Sequence, residues 1–181
     1  MAILYHSSEQ QARKCQLRKK PMNKMIFALA AAIAIGTAPA HAEQYRVVGI
    51  SDGDTVKVLS ADHRQMKCRM FGIDAPEKNM PYGERSKTAL SDMIFQKMVD
   101  VTVVDQDQYG RSVCRIVLNG VDVNKVQVQR GMAWFYRRYS KDASYDQAER
   151  AAREQRLGLW ADANPTPPWS FRRNERSNNS R

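Results

Sequence analysis

Gln44 to Ile73 reads QYRVVGISDGDTVKVLSADHRQMKCRMFGI, and three short runs rich in β-branched residues stand out in it. QYRVVGI, TVKVL and QMKCRMFGI are separated by polar, turn-forming stretches, so they predict a three-stranded meander. Tyr82 to Val99 carries Ala89, Leu90, Met93, Ile94 and Met98 at helical spacing and predicts a helix. VDVTVV and RSVCRIVL return to strand and end at Asn119-Gly120, a tight-turn dipeptide. Val123 to Arg130 predicts a short helix closed by Gly131, and Ser144 with Gln147 a capping box opening a helix to about Arg156. Five strands, one helix between the third and fourth and two after the fifth predict an α+β fold: a five-stranded Greek-key β-barrel of OB type with three helices.

The balance of 29 Lys+Arg against 19 Asp+Glu gives a net charge of +10 and favours an anionic partner. A mean hydropathy of -0.61 with 27% charged residues excludes a multi-span membrane protein. Ahead of the barrel, Met25 to Ile35 is an apolar run too short to span a bilayer, which takes about 20 residues. Arg13, Lys14, Arg18, Lys19, Lys20 and Lys24 precede it and Ala40-His41-Ala42 follows, which is the order of a signal peptide. Residues 1–42 are therefore expected to be a leader, with Met22 and Met25 as alternative starts. Residues 43–163 are expected to be the folded domain, and 164–181 a docked start followed by a disordered Pro/Arg-rich tail. The expected mature chain is exported, periplasmic or secreted, monomeric and not integrated in a membrane.

Cys15 leaves with the leader, so the exported chain keeps Cys68 and Cys114 in an oxidising compartment. The reading leaves open a disulfide between them or two buried thiols. His6, His41 and His63 are too scattered to suggest a metal site.

Three polar constellations remain. Asp52-Gly53-Asp54-Thr55 joins the first two strands; two carboxylates across a Gly suit a plain hairpin turn, and the spacing is not that of an EF-hand loop. Arg69-Met-Phe-Gly-Ile-Asp74-Ala-Pro-Glu77 runs off the third strand into a loop stiffened by Pro76, bringing an Arg and two acids to one strand end. Asp107-Gln-Tyr109-Gly110-Arg111 delivers a second Arg at the start of the fifth strand. In an OB-type barrel those strand ends lie side by side, so two guanidiniums and two or three carboxylates converge.

DGDT, CRMFGIDAPE and DQYGR, in this order and at these separations, resemble the thermonuclease (staphylococcal nuclease) family, a likeness that extends from about Gln44 to Asn164 and includes GMAW and GLWADAN. The resemblance implies a calcium-dependent phosphodiesterase acting on DNA and RNA and leaving 3′-phosphates. By motif, Arg69, Glu77 and Arg111 match the family's catalytic residues; Asp54, Asp74 and the Ala75 backbone carbonyl match its Ca²⁺ ligands. Asp52 matches an acid standing behind the metal carboxylates, and Tyr109 and Tyr139 match nucleotide-binding tyrosines. The prototype's Lys and Thr are replaced by Gln108 and Ala75, and only Lys78 to Pro81 separate Glu77 from Tyr82.

These residue types suit phosphodiester hydrolysis on chemical grounds as well. An anionic phosphodiester needs a positioned water, a base and cations for the charge that grows on its oxygens. Glu77 is placed to remove the water's proton or to orient it, and Arg69 and Arg111 offer planar forks of N–H donors. The competing readings are a catalytically inactive OB-type module that binds nucleic acid and a calcium-stabilised structural domain.

Overall fold

A computed structural model describes residues 42–179; the apolar run and basic flank of the expected leader lie outside them. In chain order the elements are β1 (Glu43–Asp52), β2 (Thr55–Leu59), β3 (Gln65–Met70), β4 (Ile73–Asp74), α1 (Gly83–Ile94), β5 (Met98–Gln106) and β6 (Ser112–Leu118). There follow β7 (Val121–Asp122), α2 (Val123–Gln129), β8 (Trp134–Phe135), α3 (Ala143–Glu154), a 3₁₀ turn (Gly158–Ala161) and α4 (Pro168–Asn178).

β1, β2 and β3 form the expected antiparallel meander, β1 also pairs with β5, and β5 pairs with β6. A parallel pairing of β3 with β6 closes the five strands into a barrel. The interior is filled by Val47, Val56, Val58, Cys68, Met70, Val99, Val101, Cys114 and Ile116, all essentially buried. Leu90 and Ile94 of α1 join the same core. Each such aliphatic side chain contributes about 1.5–3 kcal/mol by leaving water. Cys68 and Cys114 are free thiols here, with Cys114 Sγ donating to Cys68 Sγ at 2.7 Å. That bond and burial push the Cys114 thiol up.

The structure changes four boundaries. The third expected strand breaks after Met70: Gly72 turns with φ 75°, and Ile73-Asp74 leaves the barrel to pair with Trp134-Phe135. The helix expected to reach Val99 stops at Ile94, since Val99 is buried in β5 as a barrel residue. The last predicted helix is capped by Asp142, whose carboxylate accepts from the Ser144 amide, so the helix starts earlier than expected and Ser144 lies inside it. The fourth change concerns the tail. Residues 168–178 are a helix, so the domain carries four helices instead of three. Pro168 stands in its first turn, where a missing N–H costs nothing. Trp169 anchors it, stacked on Tyr136 at 5.0 Å between ring centroids and edge-on to Trp134 at 5.5 Å. The polar composition of the segment masked that pair of contacts.

Among the described residues, no helix is long and apolar enough to cross a membrane.

Candidate active site

The barrel register assembles the acids. Thr55 faces Arg69 across β2 and β3, and the Met70 amide donates to the Asp54 carbonyl at 2.8 Å, which sets the DGDT turn beside the end of β3. Within the turn, the Asp54 amide donates to Asp52 Oδ1 at 3.1 Å. Gln127, fully buried on α2, donates from Nε2 to the carbonyls of Gly53 (2.9 Å) and Ser86 (3.2 Å), tying the turn to α1. Asn124, one turn earlier, donates to the carbonyls of Phe71 and Cys114 and accepts from the Ile116 amide, so it fixes the chain as it leaves β3. The pairing of Asp74 with Trp134 completes the placement.

The carboxylates of Asp54 and Asp74 converge on one nitrogen, Arg69 Nη2, at 3.0 and 2.8 Å. Asp74 is fully buried and Asp54 nearly so. Asp54 Oδ2 also accepts from the Ala75 amide at 2.6 Å, and its Oδ1 from the Thr55 hydroxyl. Burial pushes the Asp54 carboxyl well above its usual range; Arg69 pulls it down, and Asp52 and Asp74 push it further up. This is a pair of hard oxygen donors in a place that favours a cation.

Glu77 stands at the rim, its side chain 36% exposed. Its loop is folded by the Met80 amide on the Glu77 carbonyl, and Gly83 passes over that carbonyl so closely that a Cβ there would lie 2.0 Å from it. Glycine is required at the start of α1 for that reason. Arg172, from α4, reaches into the same group: Nη2 donates to Asp74 Oδ2 at 2.7 Å, and Nη1 to Asp74 Oδ1 at 3.3 Å and Glu77 Oε1 at 2.5 Å.

Arg111 sits beside β3 as expected, because its neighbour Ser112 pairs with Cys68 across the parallel ladder. Its guanidinium, however, is paired with Asp107 (Nε to Oδ2, 2.6 Å), and among the described residues no ion pair joins it to the carboxylate cluster. Asp107 Oδ1 accepts from the Tyr109 and Arg111 amides, so one carboxylate shapes the whole turn and aims the arginine. Tyr109 is exposed with Arg111 5.7 Å from its ring, and Tyr139 is exposed beside Tyr136. Both are available to a ligand.

Of the residues expected from sequence, Asp52, Asp54, Arg69, Asp74 and Glu77 come together, while Arg111 and Tyr109 occupy an adjoining turn. Sequence reasoning missed Arg172, Asp107's role, and Asn124 and Gln127. Only Asp107 left a local signal, an Asp four residues before an Arg across a Tyr-Gly turn. Among the described residues no three His, Cys, Asp or Glu side chains form a metal cage. A metal here would be held by Asp54 and Asp74, with backbone oxygen and water completing its shell.

Residues 67–162 match the family described as staphylococcal nuclease homologue. An uncharacterized endonuclease of Haemophilus influenzae is 42% identical over 133 residues, covering 74% of this chain and 75% of the relative. The micrococcal nuclease of Shigella flexneri is 39% identical over 156 residues, covering 80% and 89%. Protein ParB of Escherichia coli is 39% identical over 177 residues, covering 91% and 98%.

The chain belongs to the staphylococcal nuclease family. The barrel is thus the fold of a nuclease, a hydrolase of phosphodiester bonds, and the clustered acids are its candidate site. Within the staphylococcal nuclease frame, the carboxylate pair on Arg69 Nη2 falls on the DGDT and CRMFGIDAPE motifs read from sequence.

Proposed function

We propose that this nuclease is an exported monomer, periplasmic or secreted, that uses calcium to hydrolyse both DNA and RNA and leaves 3′-phosphates. The observation that carries the calcium reading is the convergence of Asp54 and Asp74 on one cationic nitrogen in a buried place. Calcium is a hard ion that takes oxygen ligands, and guanidiniums already stand in for a cation there. Asp54, Asp74 and the Ala75 carbonyl would hold the ion, with Asp52 behind them. Bound there, it would act as a Lewis acid on a phosphate oxygen.

The remaining work falls to side chains of this chain. Glu77, partly open to solvent, holds a water and takes its proton or orients it. Arg69 carries a fork of donors that suits two phosphate oxygens, and Arg111, braced by Asp107, carries a second. Tyr109 and Tyr139 offer exposed rings against which a sugar or base can pack. A basic protein attracts either nucleic acid through its phosphates, without regard to sequence.

Cleavage of single- and double-stranded DNA and of RNA should be measured in calcium and in chelator, with analysis of the ends formed. Activity that needs calcium and yields 3′-phosphates supports the reading. Cutting that persists in chelator removes the calcium dependence, and binding without cutting in calcium favours the inactive module. Intact mass of the secreted protein tests export: a chain retaining Met25 to Ala42 overturns it.

A further inference from the structure

Arg172 lies far from the three motifs in sequence, yet its guanidinium is among their carboxylates. It covers Asp74 Oδ2 and shares Oδ1 with Arg69, and the same Nη1 holds Glu77. Both oxygens of the buried Asp74 and one oxygen of Glu77 are thereby occupied. Oδ1 accepts from both arginines, so a metal ion taking that oxygen needs one of them to yield, and on Oδ2 it meets the Arg172 guanidinium as a like-charged neighbour.

They are unequally anchored. Arg69 belongs to a barrel strand, is hydrogen-bonded to the Met70 carbonyl as well, and bridges two buried acids. Arg172 comes from an outer helix in which Pro168 is the only buried residue; Trp169 stacks on Tyr136, and Asn79 donates an exposed hydrogen bond to Glu175. The Arg172 side chain is itself 33% exposed.

We propose that Arg172 is a positioning residue of the hydrolytic site: in the metal-free protein it holds Asp74 and Glu77, and a divalent ion binding at Asp74 displaces it. This rests on the calcium reading given above. Two consequences follow from the one movement. The metal affinity of the site is lowered by a competitor tethered to the same chain, and Glu77 exchanges a guanidinium for water only when the metal arrives. Arg172 thereby couples metal loading to release of the group that handles the attacking water.

The test uses the mature chain and reads calcium binding directly by calorimetry. Arg172→Ala should bind calcium more tightly, on the order of 10-fold, the size of an ordinary coupling between two sites. Arg172→Lys, which keeps charge without the fork, should fall between Arg172→Ala and the unaltered protein. In the unaltered protein, calcium should speed hydrogen exchange of the amides of residues 168–178, a measurement that needs no variant to fold. If calcium binds the unaltered protein but not Asp74→Asn, and Arg172→Ala leaves the affinity unchanged, displacement is wrong and the calcium reading stands. Loss of turnover in Arg172→Ala with unchanged calcium affinity overturns the proposal too and makes Arg172 a phosphate contact. If the unaltered protein binds no calcium, both readings fail.

Discussion

A Cβ on Gly53 would lie 1.8 Å from the Ser86 hydroxyl and 2.9 Å from the Ala75 Cβ. The glycine between the two acids therefore serves close packing of the turn on α1. Gly53→Ala should destabilise the domain by about 1–3 kcal/mol, the usual cost of overpacking, with a matching fall in thermal midpoint and weaker activity. Ser86→Gly in the same chain should recover part of the midpoint, despite losing the bond from Ser86 to the Met132 carbonyl.

Glu77→Gln keeps size and hydrogen bonding and removes the proton acceptor. Turnover should fall about 10²- to 10⁴-fold, with nucleic-acid affinity little changed. Cutting at the unaltered rate in saturating calcium would show that Glu77 does not handle the water.

Asp54 ties stability to pH. Its folded-state pKa is raised, chiefly by burial, above the ordinary value of 3.8. Its contribution is complete below that value and is lost as pH rises through the raised folded pKa. In chelator, the stability of the unaltered protein relative to Asp54→Asn should fall as pH climbs from about 4. Calcium should reduce that fall, because only the carboxylate holds it well.

Asp107 braces Arg111. Asp107→Asn should lower turnover by roughly 10- to 100-fold through misplacement of the guanidinium, while the melting temperature moves little because the Asn oxygen can still accept from the Tyr109 and Arg111 amides. Equal losses in turnover and stability would make the turn merely structural.

Cys68 and Cys114 lie on strands that pair directly, with their sulfurs in contact inside the barrel. Protein recovered from an oxidising compartment should resist alkylation without reductant and be lighter by two hydrogens. Two alkylated thiols in that sample would leave them as plain core residues.

The motifs were legible because each is local. DGDT, CRMFGIDAPE and DQYGR are turns or strand ends whose geometry is carried by neighbouring residues, and the barrel was legible in the pattern of short strands and helices around them. What was illegible depends on pairings at long separation. Gln127 meets Gly53 across 74 residues and Arg172 meets Asp74 across 98, and neither leaves a local pattern. Arg172 was hidden further by composition: a Pro-, Arg- and Asn-rich segment reads as solvated unless Trp169 is known to have a ring to stack on. Val99 was misassigned for a simpler reason. It continues the spacing of α1, but the barrel takes it as a strand residue.

The parallel pairing of β3 with β6 has a consequence for the chain as it is made. Parallel neighbours need a long crossover, and here it contains α1 and all of β5. Asp74 waits longer still, since its strand partner is Trp134. Distant contacts of this kind form only after the intervening loop has closed. A chain that has not yet delivered Trp134 lacks the strand partner of Asp74, so this acid is the last of the cluster to be fixed in place.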